Sequence, residues 1–196
     1  KEAKFATEEI SLEHISYGTM MDSSGRPFKT RSGDTVKLIE LLNESVSRAY
    51  TLVTEKNPDL TENERIEISQ KVGIASVKYA DLSKNRTSDY IFDWSSMLSF
   101  EGNTAPYLLY AYARIRSLLK KASRGHSSNI STVVAPVERI LLTKLLQFPE
   151  IVEAVASDCL PNQLCSYLHE VVSTFMRFYE ECPILSEKEE VRDSRL

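Results

Sequence analysis

From Val36 onward, apolar side chains return every third or fourth residue, and this interval constrains the fold more than any other feature of the chain. Val36, Ile39, Leu42, Val46, Tyr50 and Val53 follow the period of one face of an α-helix, whereas a strand would alternate at every second residue. The spacing predicts a helix from about Val36 to Glu55, capped by Asp34 or Thr35. A second helix is expected from a Thr61/Glu64 capping box to about Leu82, with the stripe Ile68, Val72, Ala75, Tyr79 and Leu82 facing inward. A long helix opens at Asn103 or Thr104 and runs to about Ala122, tolerating Pro106 in its first turn. Three more follow, at about Pro136 to Phe148, Pro149 to Asp158 and Pro161 to Glu181, each with proline near its start. Ser186 with Glu189 begins another capping box, on a helix that reads as truncated at Leu196.

The segment before Val36 is different in kind. Glu9 to Met21 carries β-branched and aromatic residues and reads as extended, Asp22 to Gly25 as a tight turn, and Arg26 to Thr35 as a basic loop punctuated by glycine. The fold class expected is therefore mainly α, a helical bundle preceded by a short strand-and-loop piece. At 196 residues the length suggests one domain, or one domain with part of another.

Composition removes several functions. With 24 basic against 28 acidic residues and a net charge of -4, the overall field disfavours polyanions, so contact with nucleic acid must come from a local patch. No apolar run approaches the roughly 18 residues of a membrane span. Cys159, Cys165 and Cys182 form no CxxC pair and read as helix-packing residues in a reducing compartment. His14, His126 and His169 have no metal-ligand spacing, and no GxSxG elbow or GxxxxGK[ST] loop occurs. Nothing assembles a complete catalytic constellation.

Two stretches carry possible chemistry. At about 100° per residue, Leu108, Tyr112, Ile115 and Leu119 form one stripe of the long helix, read as its core face, while Tyr107, Tyr110, Arg114 and Lys121 form a second, roughly 130° away. Two tyrosines beside an arginine can stack on unpaired bases while the cation meets phosphate or a base edge. They can equally pack on a neighbouring helix. Arg114, Arg116, Lys120, Lys121 and Arg124 add five cations without an intervening acid. In the basic loop, Arg26, Lys29 and Arg31 beside Ser32 and Gly33 suit an oxyanion or, equally, an ordinary surface loop.

Beyond these patterns, the chain resembles the bacterial-type, class I arginyl-tRNA synthetases. The resemblance rests on GRPFKTRSGDTVKLIELL (Gly25 to Leu42), VKYADLSKNRTSDYIFDWSSML (Val77 to Leu98), FEGNTAPYLLYAYARIRS (Phe100 to Ser117), LLQFPEIV (Leu145 to Val152), FYEECPIL (Phe178 to Leu185) and VRDSRL (Val191 to Leu196). It implies two domains, the end of a catalytic domain at residues 1–35 and an anticodon-binding domain, truncated at its C-terminus, at residues 36–196, in an enzyme that charges arginine onto its tRNA with ATP and Mg, in the cytoplasm. The family's HIGH motif is expected in an N-terminal part beyond Lys1, which itself reads as a cut end, so this chain alone is expected to be inactive. Lys29, Thr30, Arg31 and Ser32 stand at the place of the KMSKS loop, with Ser32 where a second lysine belongs. The YxxYAxxR pattern falls on Tyr107, Tyr110, Ala111 and Arg114, which the resemblance assigns to the anticodon stem and loop; Lys121 joins them from the same helical stripe. A stand-alone helical domain docking an acidic partner helix is the alternative, and an independent enzyme built on the Lys29 loop is disfavoured.

Overall fold

The structure is a computed structural model describing residues 7, 9–22, 24–27, 37–122 and 132–196. The helical period dominates it as expected. α1 (Leu38–Lys56) and α2 (Glu62–Leu82) form an antiparallel hairpin, followed by β2 (Tyr90–Ile91) and the short α3 (Trp94–Met97). Then come α4 (Ala105–Ala122), α5 (Pro136–Leu146), α6 (Phe148–Asp158), α7 (Pro161–Glu181) and α8 (Glu189–Arg195). Of the extended N-terminal segment, only β1 (Met20–Met21) is a strand; it pairs in parallel with β2, Met20 opposite Tyr90 and Met21 opposite Ile91. The turn after it forms as read: Asp22 Oδ1 accepts from the amides of Ser24 and Arg26, and Gly25 takes φ +74, a conformation glycine adopts without steric cost.

The first helices pack closer than their apolar stripes suggest. In α1 the buried line is Leu41, Ser45, Ala49 and Val53, and in α2 it is Ser69, Gly73, Ser76 and Val77, while Ile39 and Ile68 face solvent. Both expected stripes are thus rotated, because small residues own the contact. A Cβ on Gly73 would lie 2.7 Å from Val46 Cα, and Ser45 Oγ donates to the Gly73 carbonyl at 2.8 Å. Side chains of ordinary size cannot enter that gap.

Capping agrees at one end of the chain and not at the other. Thr61 and Glu64 form the expected box on α2. Asp34 and Thr35, expected to cap α1, lie outside the described residues, and α1 starts after Lys37. At α8 the Ser186/Glu189 box is absent; the helix starts after Lys188, with no side-chain cap. What holds α8 is tertiary. Its Arg195 pairs with Glu138 of α5 at 2.5 Å, both side chains only 7% exposed, and donates to the Pro183 carbonyl at 2.6 Å. The same Glu138 carboxylate accepts the Val134 and Ala135 amides ahead of α5. Burial alone would raise that carboxyl, but the Ala135 amide, the Arg195 guanidinium and the Val134 amide outweigh it and hold it below its ordinary value.

The larger core gathers Ala111 and Leu118 of α4, Val137 of α5, Phe175 and Phe178 of α7, then Cys182 and Ile184. A smaller one joins Leu41, Val77, Phe92 and Met97. Cys165 and Cys182 are buried as expected, whereas Cys159 is exposed, in the left-handed conformation (φ 53) that ends α6. No described helix is long and apolar enough to cross a membrane.

Candidate nucleic-acid interface

The two stripes read on α4 are the two flanks of one buried face. Ala111 and Leu118, only about 20° apart at 100° per residue, lie at its centre, 0% and 9% exposed. Leu108 and Ile115 fall on one side of that line and Tyr107 and Arg114 on the other, all half-buried. Tyr112, read as core, swings beyond the first flank and is 59% exposed. Ala111 is corrected in the opposite sense. Fully enclosed, it cannot itself touch RNA, and its part in the YxxYAxxR pattern is to let α4 settle against the core.

On the other flank the structure builds a compact array. The Arg114 guanidinium carbon lies 4.9 Å from the centre of the Tyr110 ring and 4.8 Å from that of Tyr179 on α7, so both aromatic faces hold one cation. Arg114 also hydrogen-bonds the Tyr110 hydroxyl. One turn earlier, Tyr107 meets His169 of α7 at 5.8 Å between ring centres. Tyr110, 42% exposed, keeps part of its ring in solvent. Arg116, Lys120 and Lys121 are exposed farther along the same helix.

The start of α4 is fixed by hydroxyl and amide groups. Thr104 Oγ1 accepts the Tyr107 amide and donates to the Ser99 carbonyl at 2.6 Å. The Tyr79 hydroxyl from α2 lies 2.5 Å from Asn103 Oδ1 and 2.9 Å from the Cys165 carbonyl. A phenol has one proton, which Asn103 Oδ1, the nearer acceptor, and the Cys165 carbonyl share. Burial, reinforced by Cys165, pushes this phenol well above its ordinary value. It is a neutral strut between α2, α4 and α7.

Sequence spacing brought out Tyr107, Tyr110, Arg114 and Lys121 but not Tyr179 or His169, which complete the array from α7. Only the i, i+4 relation of Tyr110 and Arg114 is visible within one helix. The basic-loop candidates Lys29, Thr30, Arg31 and Ser32 lie outside the described residues.

Comparison with known proteins gives this architecture its relatives. Residues 108–196 match the DALR anticodon binding domain, and residues 1–94 match the catalytic domain of class I (R) tRNA synthetases, a match running well past the expected division at residue 35. The chain is thus a class I aminoacyl-tRNA synthetase region: the end of a catalytic domain joined to a helical anticodon-binding domain. It is 54% identical over 198 residues to an arginine–tRNA ligase of Colwellia psychrerythraea and 55% identical over 196 residues to one of Laribacter hongkongensis, covering all of this chain and 34% of each relative. It superposes on the Thermus thermophilus arginyl-tRNA synthetase with a TM-score of 0.82 at 30% identity, covering 93% of this chain and 31% of that one. For the Plasmodium falciparum arginyl-tRNA synthetase the values are 0.81 and 28%, with 98% and 32% covered. The chain belongs to the arginyl-tRNA synthetases and spans about a third of the length of the relatives it matches.

Proposed function

We propose that this chain is the tRNA-reading part of an arginine–tRNA ligase, a cytoplasmic enzyme that activates arginine with ATP and Mg and transfers it to arginine tRNA. In this reading the helices from α4 onward, which match the anticodon binding domain, grip the anticodon stem and loop. Tyr110 and Arg114 meet bases or phosphates, and Tyr107 and Lys121 flank them. Lys29, Thr30, Arg31 and Ser32 serve the phosphates of ATP from the end of the catalytic domain. The observation that carries the reading is the Arg114 cation held between Tyr110 and Tyr179, because a guanidinium fixed in orientation offers its remaining N–H groups to phosphate or a base edge at little entropic cost.

Filter binding of the chain to arginine tRNA and to a noncognate tRNA, each at two salt concentrations, tests it. Tighter binding of arginine tRNA, weakening steeply with log[salt] through phosphate contacts, is the expected result. Equal affinity for the two tRNAs would refute specific recognition.

A further inference from the structure

Arg86, in the turn between α2 and β2, joins parts of the chain that no helix contact explains. Its Nε donates to the Cys159 carbonyl at 2.7 Å and its Nη1 to the Ser16 carbonyl at 2.6 Å, with Nη2 3.5 Å from the Asp158 carbonyl. Its own carbonyl accepts the Gly18 amide at 2.5 Å. These partners lie about seventy residues away on either side: the segment entering β1, and the left-handed corner between α6 and α7.

The N-terminal segment is pressed tightly onto this turn. A Cβ on Gly18 would lie 2.2 Å from the Ser88 carbonyl oxygen, so only glycine fits, and the Thr19 amide donates to Asp89 Oδ1 at 2.7 Å. The turn is itself braced by Asn85 Oδ1, which accepts the Thr87 amide and hydroxyl. From the corner at Cys159, α7 starts two residues on and carries His169 and Tyr179, the α7 members of the aromatic array. A planar fork of five donors can hold two carbonyls at fixed angles; an ammonium on a flexible stem cannot.

We propose that Arg86 is a positioning residue that couples RNA binding at the α4–α7 face to the placement of β1, the strand that leads in sequence towards the basic loop. The path runs from Arg114 and Tyr179 along the rigid α7 to the Cys159 corner, and through one guanidinium to Ser16 and β1. This inference rests on the proposed function, since it takes RNA as the ligand of the α4–α7 face.

Amide hydrogen exchange of the chain with and without saturating arginine tRNA tests it. The amides of Gly18, Thr19, Tyr90 and Phe92, all donors at the β1–β2 junction, are expected to exchange roughly fivefold or more slowly with tRNA bound, the low end of ordinary coupling. In Arg86→Lys the tRNA should bind with near wild-type affinity while this slowing is lost. In the full-length ligase the same substitution should lower kcat for aminoacylation with the KM for tRNA unchanged. Bound tRNA without slowing in the wild type, equal slowing in Arg86→Lys, or a raised KM with kcat intact would overturn the coupling alone. A wild-type chain that fails to bind arginine tRNA would overturn the proposed function and this inference together.

Discussion

Removing the Arg114 side chain separates the recognition proposed for it from the packing it provides. In the free protein it makes two cation–π contacts at 4.8–4.9 Å on a half-buried flank, each worth about 0.5–1 kcal/mol, so Arg114→Ala should cost roughly 1–2 kcal/mol of stability. For a chain of this size that is a fall in Tm of about 2–8 °C. A charge-assisted hydrogen bond to RNA is worth about 1.5–3 kcal/mol, so affinity for arginine tRNA should fall by roughly tenfold or more. Arg114→Lys keeps the charge but not the planar fork, and should retain the salt dependence while losing part of the affinity. Leu118→Ala is the control. It opens a cavity in the core and should lose roughly 2–5 kcal/mol of stability, with tRNA affinity intact wherever the bundle is folded. Thermal melts and filter binding on the same preparations decide the matter. If Arg114→Ala unfolds the bundle, or binds tRNA within twofold of wild type, the residue packs the bundle and does not read RNA.

Two further outcomes follow from the packing. Gly73→Ala gains about 1 kcal/mol of helix propensity but drives a Cβ to 2.7 Å from the Val46 backbone, which no rotamer relieves; overpacking of about 1–3 kcal/mol should win, and a raised Tm would show that α1 and α2 part without cost. Glu138→Gln should destabilise the chain by roughly 1–3 kcal/mol at pH 7, because it leaves the buried Arg195 only the Glu187 carboxylate, 3.5 Å away, as a counter-charge. Because the native Glu138 carboxyl lies below its ordinary value, its contribution is present above the unfolded pKa of about 4.3 and is lost as pH falls through the native value. The gap in Tm between wild type and variant should therefore close on acidification; a gap constant from pH 7 to pH 3 would contradict this.

Helix identity was legible because a 3.6-residue period survives the loss of all tertiary information. Which face turned inward was less so. In α1, α2 and α4 the buried line runs through Ser45 and Ala49, Ser69 and Gly73, and Ala111, residues that count for little in an apolar pattern yet fix how near two backbones come. Ile39 and Ile68 lie off those lines and are exposed, because the close approach of α1 and α2 at Ser45 and Gly73 admits only small side chains; Tyr112 on α4 is exposed as well. The β-branched residues of Glu9 to Met21 favour extension but do not say which residues pair, and it is Met20 and Met21 that find a partner strand. Arg86 gave no pattern at all, since its partners are main-chain carbonyls that carry no residue identity.

The position of the aromatic array follows from the same geometry. A side chain at the centre of a helix's buried face is fixed but hidden, as Ala111 is, and one on the far side is accessible but loose. Residues about 60° from the centre are packed along their stems and open at their tips, which Tyr107 and Arg114 show on one flank of α4. Only there can a ring or guanidinium be held in one orientation by a neighbouring helix and still meet a ligand. Tyr179 lends Arg114 that rigidity from α7, and it lies outside the YxxYAxxR pattern because that pattern spans residues of α4 alone. Replacing Tyr179 by leucine would keep an apolar wall but remove the π face, leaving Arg114 its charge without its fixed direction.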